Sequence, residues 1–352
     1  ERAAVHQIKT VVAADILSLT LLEAPGSWGA EVVVGSTQRF GIPMGNGGPH
    51  AAYFATKEKH KRRLPGRVIG VSQDSNGDTA LRMALQTREQ HFKRDKATSN
   101  ICTAQALLAV MAGMYAAYHG PERLKKIAQK VNQLTSILAN NLVKIGFDLK
   151  NNSAFDTIAI LLDKTHQSSL RELLNQYKIN VRYESDYVGI SIDETTELQD
   201  IMQLVELFAQ LKGVTLEFDE KTSQMWDLEL NRSTTYLEHP VFNSYHTEHE
   251  MLRYLKSLEN KDLSLAHSMI ALGSCTMKLN ATTEMIPVTW ESFGNIHPFA
   301  PKEQLAGYEE LLHDLERDLS EITGFHQVSL QPNAGAQGED TGLMTIREFF
   351  KD

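Results

Sequence analysis

The most informative stretch of this sequence is Ser329-Leu-Gln-Pro-Asn-Ala-Gly-Ala-Gln-Gly-Glu339, which precedes a helix-like pattern at residues 341–350. A short apolar run, residues 328–330, predicts a strand before it. A strand, a loop of small residues and a helix N-terminus together form a cradle for an anion, usually phosphate, because the first N–H groups point outward and the helix dipole adds positive charge. Gly335 and Ala336 would let the backbone approach such a ligand. Glycine-rich turns also serve packing alone, so the motif by itself leaves both interpretations open.

Composition and charge exclude several classes of function. The 352 residues are enough for two or three domains. A net charge of -9 and a pI near 5.8 argue against binding of nucleic acid. We interpret the basic run at residues 57–67 as a solvated edge beside a loop. Cys102 and Cys275 are too few for a disulfide framework and favour a reducing compartment, although they can pair under oxidation.

The sequence predicts no membrane span and no secretory signal. The longest apolar stretch, residues 104–118, is interrupted by Gln105 and Gly113 and falls short of the roughly 20 apolar residues that cross a bilayer. We therefore expect a buried helix there. The chain begins at Glu1 without a methionine and stops at Asp352 directly after a helical pattern, so we expect both ends to lie inside a longer protein.

The first 120 residues alternate β-like runs with helix-like patterns, which is typical of an α/β layer. Two helices are predicted, at residues 80–93 and 101–119. Candidate caps of the second helix are Thr98, Ser99 and Asn100. The predicted strands are residues 10–13, 31–35, 51–55 and 68–72.

A second unit follows at residues 121–212. Its order of helix, strand, helix, strand, strand and helix predicts a small α+β domain with the helices on one face of a short sheet. Pro121 and Gly146 stand where a helix begins and ends. A polar connector is predicted at residues 213–245, and Thr247 then begins a helix with the spacing of a capping box. The predicted helices are residues 122–145, 168–177, 196–211 and 306–322, and the predicted strands are 155–162, 180–184 and 187–192.

Three histidines, His239, His246 and His249, suggest a metal site, since two of them lie one helical turn apart. No cluster of cysteines or further histidines completes a zinc site, so we favour an exposed linker without a metal. The sequence also lacks the nucleophile elbow of hydrolases, the phosphate loop of nucleotide-binding proteins and the dinucleotide fingerprint of dehydrogenases.

If the anion belongs to a cofactor, pyridoxal phosphate suits a large α/β domain, a small α+β domain and a helix N-terminus for its phosphate. Such an enzyme needs a lysine that carries the cofactor. The lysine beside a turn in the last segment is Lys278, which lies upstream of the cradle, where the carrier lysine of that fold is not expected. The residues alone therefore indicate a cofactor cradle without its lysine.

Several long motifs extend this hypothesis, among them Ala80-Leu-Arg-Met-Ala-Leu-Gln-Thr-Arg-Glu-Gln-His91 and Leu272-Gly-Ser-Cys-Thr-Met-Lys-Leu-Asn280. The full set is residues 9–15, 35–45, 80–91, 96–105, 267–270, 272–280, 294–299 and 329–339. Together they resemble the P-protein family of the glycine cleavage system, which are pyridoxal-phosphate-dependent glycine decarboxylases. The resemblance implies the α/β fold of pyridoxal-phosphate-dependent transferases (fold type I), with large domains and a small α+β domain.

The resemblance also implies a division into halves. In that family two homologous halves, in one chain or two, pack around each active site, and only the second half carries the cofactor lysine. We expect that lysine beyond Asp352. In the first half, Gln38 falls on the lysine position, and since an amide cannot bind the cofactor covalently we expect this half to be silent. The implied regions are residues 1–120, the end of the first, non-catalytic large domain; 121–212, the small α+β domain; 213–245, the connector; and 246–352, the start of the second, cofactor-binding large domain.

The implied activity is decarboxylation of glycine on pyridoxal phosphate, with transfer of the aminomethyl group to the lipoyl arm of H-protein. The implied partners are glycine, H-protein and the second half or subunit, without nucleic acid or membrane. The bacterial cytoplasm is favoured, with the mitochondrial matrix as the eukaryotic location. Cofactor contacts are expected at Asn333, Gly335, Ala336 and Gln337. Active-site edge residues are expected at Thr276 and Lys278, a turn that packing explains equally well, and more weakly at Thr98, Ser99 and Asn100.

A few positions depart from the family pattern. Ala271 stands for a common proline, Asn46 for a tyrosine, and Asp340-Thr341 for a Tyr-Ala pair. Asp340 adds a negative charge that either weakens the cofactor slightly or caps the helix. Two alternatives stay open: another pyridoxal phosphate decarboxylase of the same fold, and a non-catalytic assembly fragment.

Overall fold

The computed structural model describes residues 2–98, 105–223, 225–261, 281–332 and 334–351. The chain divides into two compact units, and each is described by itself. The first unit contains residues 1–43, 50–55 and 107–285, and the second contains residues 44–49, 56–106 and 286–352. The four regions proposed from the sequence stay a prediction.

The described residues form short strands and helices of very different lengths. The strands are β1 (Val11–Ala13), β2 (Val32–Ser36), β3 (Ala52–Thr56), β4 (Val68–Gln73), β5 (Thr79–Ala84), β6 (Thr157–Leu161), β7 (Arg182–Tyr183) and β8 (Tyr187–Ser191). The α-helices are α1 (Arg2–Val5), α2 (Ala106–Ile145), α3 (Lys164–Gln176), α4 (Leu198–Lys212), α5 (Glu248–Glu259), α6 (Thr282–Met285), α7 (Glu291–Gly294), α8 (Ala306–Thr323) and α9 (Gly335–Phe349).

The first unit opens with a three-stranded sheet in the order β1-β2-β3. β1 and β2 are parallel, with Val11 opposite Val32 and Ala13 opposite Val34. Their β-branched residues suit a half-buried pleated surface. The strands predicted in this region are therefore confirmed. The core beside them joins the segments after β1 and β2 to α2, through Leu17, Phe40, Ile42, Ala51, Ala112, Ala116, Leu124 and Ala128.

α2 is a 40-residue element that bends at Gly120, whose φ is 64° and ψ 177°. Pro121 restarts the helix there, because proline needs no N–H donor in a first turn. The two helices predicted on either side of this point are therefore joined end to end. A Cβ atom at Gly120 would lie 2.6 Å from the carbonyl oxygen of Phe242 and 2.8 Å from Cε1 of His246, so both the backbone angle and the space require glycine.

The order of helices and strands predicted for residues 121–212 is confirmed. The sheet of this region has the order β6-β8-β7, and both pairings are antiparallel. Alternate residues of β6, Ile158 and Ile160, are fully buried against side chains of α2, α3 and α4, among them Leu138 and Phe208. Such burial of large apolar side chains is the main stabilising contribution to a domain of this size.

The polar connector is part of the first unit and is hydrogen-bonded to the segment after β1. The Glu23 N–H donates to the carbonyl of Leu230 at 2.8 Å, and the Arg232 N–H donates to the carbonyl of Leu21 at 2.7 Å. The carboxylate of Glu23 accepts from the N–H and the hydroxyl of Ser233, both at 3.0 Å. These bonds, the backbone one first, lower the pKa of Glu23 to about 2. After the connector, α5 begins with the predicted capping box between Thr247 and Glu250.

The second unit contains a two-stranded hairpin where the sequence predicts a helix. Residues 80–93 were expected to be helical, and this prediction is wrong: β5 pairs antiparallel with β4, with Val71 opposite Leu81. The turn between the strands explains the difference. The Asp74 carboxylate accepts from the N–H groups of Asn76 and Asp78 at 2.8 and 3.0 Å, and Gly77 has φ 88°. This turn chemistry overrides the local helix preference of the alanines and leucines.

The C-terminal helices of the second unit differ from the prediction in their bounds. α8 is confirmed and ends at Gly324, whose φ of 74° is typical of a helix C-terminus. The strand predicted at residues 328–330 is wrong, because these residues form no ladder with any strand of the described part of the chain. α9 begins at Gly335, six residues before the expected start.

Within the described ranges no helix is long and apolar enough to cross a membrane.

Substitution of two glycines in α2 tests the bend. Gly120→Ala should lower the free energy of unfolding of this chain by about 2 kcal/mol, because alanine is strained at this angle and its methyl group meets backbone. Gly113→Ala is the matched control and should raise the free energy of unfolding by roughly 0.5 to 1 kcal/mol, since no atom lies within 4 Å of the added methyl group. Urea unfolding followed by circular dichroism measures both. Equal effects of the two substitutions would contradict the assigned bend.

Candidate functional site

The carboxyl ends of β1 and β2 meet at one sheet edge, the position at which open α/β sheets bind ligands. Asp15 follows β1, and Gln38, on the expected lysine position, follows β2. The Gln38 N–H donates to the hydroxyl of Ser36 at 3.1 Å, and its carbonyl accepts from the N–H of Ile42 at 3.1 Å. The structure therefore places Gln38 in a well-bonded turn at this edge, and its amide supplies no nucleophile.

The side chain of Arg39 occupies the same edge. Its Nε lies 2.7 Å from Oδ2 of Asp15, and Nη2 pairs with Oδ2 of Asp156. Its Cζ also lies 5.6 Å from the ring centre of Phe155. The guanidinium is only 20% exposed and is balanced by two carboxylates. The Arg39 guanidinium, which could otherwise bind an anionic ligand, is thus already paired with carboxylates of the protein.

Neighbouring side chains fill the rest of this edge. The Tyr53 hydroxyl donates to the carbonyl of Ala14 at 2.8 Å. Burial, and after it the charge of Asp15, raises the pKa of Tyr53. A Cβ atom at Gly35 would lie 2.2 Å from the Ala14 oxygen and 2.6 Å from the Tyr53 ring, so backbone and ring are in close contact. These contacts favour a structural role for the edge.

A glycine-rich turn after Gln38 belongs to the second unit. Gly45 and Asn46 have φ 48° and 54°. Their N–H groups donate to the carbonyls of Gly294 and Ile296, each at 2.8 Å. Asparagine tolerates this left-handed conformation, which accounts for its fit at a position where the family resemblance leads one to expect tyrosine. The turn therefore fixes the segment around α7 in place.

The expected anion cradle lies at the N-terminus of α9. Gly335, Ala336 and Gln337 form the first turn of this helix rather than a loop before it, and Ala334 provides no side-chain cap. The Gly338 N–H donates to the Ala334 carbonyl at 3.0 Å, at the end of this first turn. No atom lies within 4 Å of a Cβ at Gly335, which leaves the turn open to a ligand. These residues fit a phosphate group.

The structure excludes one interpretation of Asp340. This residue lies within α9, five positions beyond its first residue, and cannot be the cap. The hydroxyl of the next residue, Thr341, donates to the carbonyl of Gln337 at 2.6 Å and is thereby occupied. Asp340 thus adds an exposed negative charge to α9 without capping it.

Other predicted site residues are only partly placed. The hydroxyl of Thr98 donates to the carbonyl of Arg62 at 3.2 Å and braces that loop. Its role toward an active site stays a prediction. The residues that lie outside the described ranges are Asn333, Thr276, Lys278, Ser99, Asn100, Cys102 and Cys275.

Two of the three histidines, His239 and His246, are hydrogen-bonded to backbone. Nδ1 of His246 lies 2.8 Å from the carbonyl oxygen of Tyr118, beside the bend of α2. The ring of His239 caps the short turn Pro240–Asn243. Across the described ranges no three His, Cys, Asp or Glu side chains are grouped so as to hold a metal ion.

Sequence reasoning found Gln38 but missed Asp15 and Arg39. Their position was the available signal, because Asp15 lies two residues after the predicted strand 10–13 and Arg39 directly follows Gln38. Polar residues at the carboxyl ends of parallel strands lie close together in space.

The sequence of this chain is similar to those of known proteins. A family model described as glycine cleavage system P-protein matches residues 1–208. A glycine dehydrogenase (decarboxylating) of Nostoc sp. is 58% identical over 348 residues, which is 97% of this chain and 35% of that protein. A mitochondrial glycine dehydrogenase (decarboxylating) of Solanum tuberosum is 54% identical over 354 residues, which is 99% of this chain and 34% of that protein. The chain thus spans about a third of the length of the curated relatives it matches.

A solved structure shares the fold. It is a crystal structure of glycine decarboxylase (P-protein) of the glycine cleavage system in inhibitor-bound form. The TM-score is 0.53 and the identity 32%, over 59% of this chain and 50% of that chain. The predicted fold class, the α/β fold of pyridoxal-phosphate-dependent transferases, is confirmed.

Substitution of Arg39 tests the filled sheet edge. Arg39→Met keeps an unbranched apolar stem and leaves Asp15 and Asp156 without this cation, so the free energy of unfolding should fall by about 2 to 3 kcal/mol. Lys130→Met is the control, because it breaks only the exposed pair with Glu197, at 2.6 Å, and should change the free energy of unfolding by less than about 0.5 kcal/mol. Urea unfolding measures the free energy of unfolding of both variants. A loss for Arg39→Met no larger than that of the control would contradict the role of the pair.

Proposed function

Because the chain belongs to the glycine cleavage system P-protein family, we propose that it is part of a glycine dehydrogenase (aminomethyl-transferring), an oxidoreductase that depends on pyridoxal phosphate. The carboxylate of glycine leaves as carbon dioxide, and the aminomethyl group passes to the oxidised lipoyl arm of H-protein. When bound, pyridoxal phosphate supplies the electron sink for the decarboxylation. The observation that carries the proposal is the 58% identity over 97% of this chain to a glycine dehydrogenase (decarboxylating).

The first turn of α9 is the part of this chain that would hold the cofactor phosphate. The N–H groups of Gly335 and Ala336 would donate there, the helix dipole would add attraction, and Gln337 is a further proposed contact. Asn333 is a further proposed contact from the same segment. Thr276 and Lys278 are proposed edge residues of the active site.

The sheet edge at Gln38 supports the proposal that the two halves of the enzyme have different roles. An amide stands on the lysine position, and Arg39 already neutralises the nearby carboxylate of Asp15 at 2.7 Å. We therefore place the cofactor lysine outside residues 1–352, and we expect the isolated chain to be inactive. For the first half alone, this same filled edge favours the alternative, a non-catalytic assembly role.

The proposed partners are glycine, H-protein and the remaining half or subunit of the enzyme. The relatives come from a bacterium, Nostoc sp., and from mitochondria of Solanum tuberosum. We place the protein in the bacterial cytoplasm, with the mitochondrial matrix as the eukaryotic counterpart.

An assay of the full-length protein tests the function. Glycine labelled in its carboxyl group should release labelled carbon dioxide only when oxidised H-protein is present, and the isolated chain 1–352 should release none. Other amino acids serve as the control for a different pyridoxal phosphate decarboxylase. Release from another amino acid in preference to glycine, or release that does not depend on a lipoyl acceptor, would overturn the proposal.

Paired glycine substitutions in α9 test the phosphate site. In the full-length protein, Gly335→Asp should weaken binding of pyridoxal phosphate about ten-fold, because a carboxylate at the first turn repels the phosphate. Gly342→Asp adds the same charge later in the same helix, and its Cβ also meets no atom within 4 Å. Fluorescence titration of the apoenzyme measures both affinities. Equal affinities for the two variants would show that the phosphate is held elsewhere.

A further inference from the structure

The bend of α2 brings together cationic and titratable side chains to which the proposed function gives no role. We define the bend cluster as His119, Arg123 and His246, which lie around the bend at Gly120. The first two belong to α2, and His246 comes from the segment before α5. All three are part of the first compact unit. The contact between α2 and the end of the connector therefore depends on residues that can change charge.

Three hydrogen bonds hold the segment before α5 against the bend. Nδ1 of His246 lies 2.8 Å from the carbonyl oxygen of Tyr118, and since a carbonyl only accepts, this nitrogen donates. Nη1 of Arg123 donates to the carbonyl of His246 at 3.0 Å. The hydroxyl of Tyr236 donates to the carbonyl of Pro121 at 2.8 Å, and burial raises the pKa of this phenol. Arg123 is thus the cation that binds the His246 segment directly.

The imidazole of His119 is half-buried against two aromatic rings. Its ring centre lies 4.3 Å from that of Tyr115 and 5.3 Å from that of Tyr118. Burial first, and then the charges of Arg123 and His246, lower the pKa of His119. A proton on this ring would place a charge in a partly dehydrated position beside a second cation. The closed arrangement therefore favours neutral His119.

The acidic side chains around the bend act on other groups. Burial, and after it the charge of Glu194, raises the pKa of Tyr115 to about 12. The pKa of Glu250 in α5 is lowered, first by its hydrogen bonds to Thr247 and last by the charge of His246. Among the described residues, no carboxylate raises the pKa of His119. A charge on His119 would thus have no acidic partner there.

We propose that the bend cluster is a pH-sensitive junction, which is closed while His119 is neutral and opens when His119 binds a proton. The new charge would be poorly hydrated, and it would repel Arg123, which holds the carbonyl of His246. Opening would release the segment before α5 from α2 and so loosen the end of the connector. This inference concerns contacts within the first compact unit and does not depend on the proposed function.

The direction of the pH effect follows from the two states of His119. In the open junction the imidazole is hydrated and has its ordinary pKa of about 6.5, whereas the closed junction lowers this pKa. The open state therefore binds the proton at a higher pH than the closed state does. The closed junction should be fully stable above about pH 6.5 and should lose stability as the pH falls below that value toward the lowered pKa.

Hydrogen exchange of the full-length enzyme tests the junction. Protection of peptides that cover residues 116–122 and 240–250, corrected for the intrinsic exchange rate at each pH, is measured by mass spectrometry. Between about pH 7.5 and about pH 5.5 this protection should fall more than about three-fold. Peptides from β6 and β8 should change by less than about two-fold over the same range, because they lie in the core of the small domain.

Replacement of His119 removes the proposed sensor. His119→Phe keeps a ring against Tyr115 and Tyr118 but cannot bind a proton, so protection at the bend should become equal at the two pH values. The matched control is His313→Phe in α8, a histidine whose Nδ1 lies 2.7 Å from the carbonyl oxygen of Glu309 in its own helix. This control should keep the pH dependence of the unmodified enzyme. If His119→Phe does not fold, His119→Gln gives the same measurement.

Three results would overturn the inference. One is equal protection of the bend peptides at both pH values in the unmodified enzyme. Another is a fall in protection that persists at full size in His119→Phe and His119→Gln, since a different group would then be the sensor. The third is a fall of the same size in β6 and β8, which would show that acid unfolds the whole unit rather than the junction.

Discussion

The Arg39 guanidinium lies between two carboxylates from distant parts of the chain, Asp15 after β1 and Asp156 before β6. It therefore connects the parallel sheet to the small α+β domain within the first compact unit. Both carboxylates are partly buried, so each would repel the other without the cation between them. The stacking of Arg39 on Phe155 adds an apolar contact to the ionic ones. Arg39 therefore links residues after β1 with residues before β6 through charge and through an aromatic contact.

The sheet edge and the N-terminus of α9 differ in what their residues offer. At the sheet edge Arg39 is paired with two carboxylates, and the amide of Gln38 offers no nucleophile. At the N-terminus of α9 no atom lies within 4 Å of a Cβ at Gly335. This difference supports the proposal that α9 holds the cofactor phosphate and that the sheet edge is structural.

Much of the fold could be predicted from sequence where local signals agree with long-range packing. The capping box at Thr247 and the glycine at residue 146 are local signals for the start and end of a helix. In the structure α5 begins after Thr247 and α2 ends before Gly146. The segment 80–93 was predicted wrongly, because its pairing with β4 is a non-local interaction that a helix-like pattern hides. Gln38 was found through the family resemblance. The position of Asp15 and Arg39 after predicted strands could have indicated their pair, but the pair with Asp156 joins distant segments and leaves no local pattern.

The most direct test of this account locates the cofactor lysine. The full-length holoenzyme would be reduced with borohydride, digested, and mapped by mass spectrometry. The account predicts one pyridoxyl-lysine peptide from outside residues 1–352, with every lysine of this chain unmodified. A stoichiometric adduct on Lys278, or on any other lysine of residues 1–352, would contradict the assignment of a silent first half and a separate catalytic lysine.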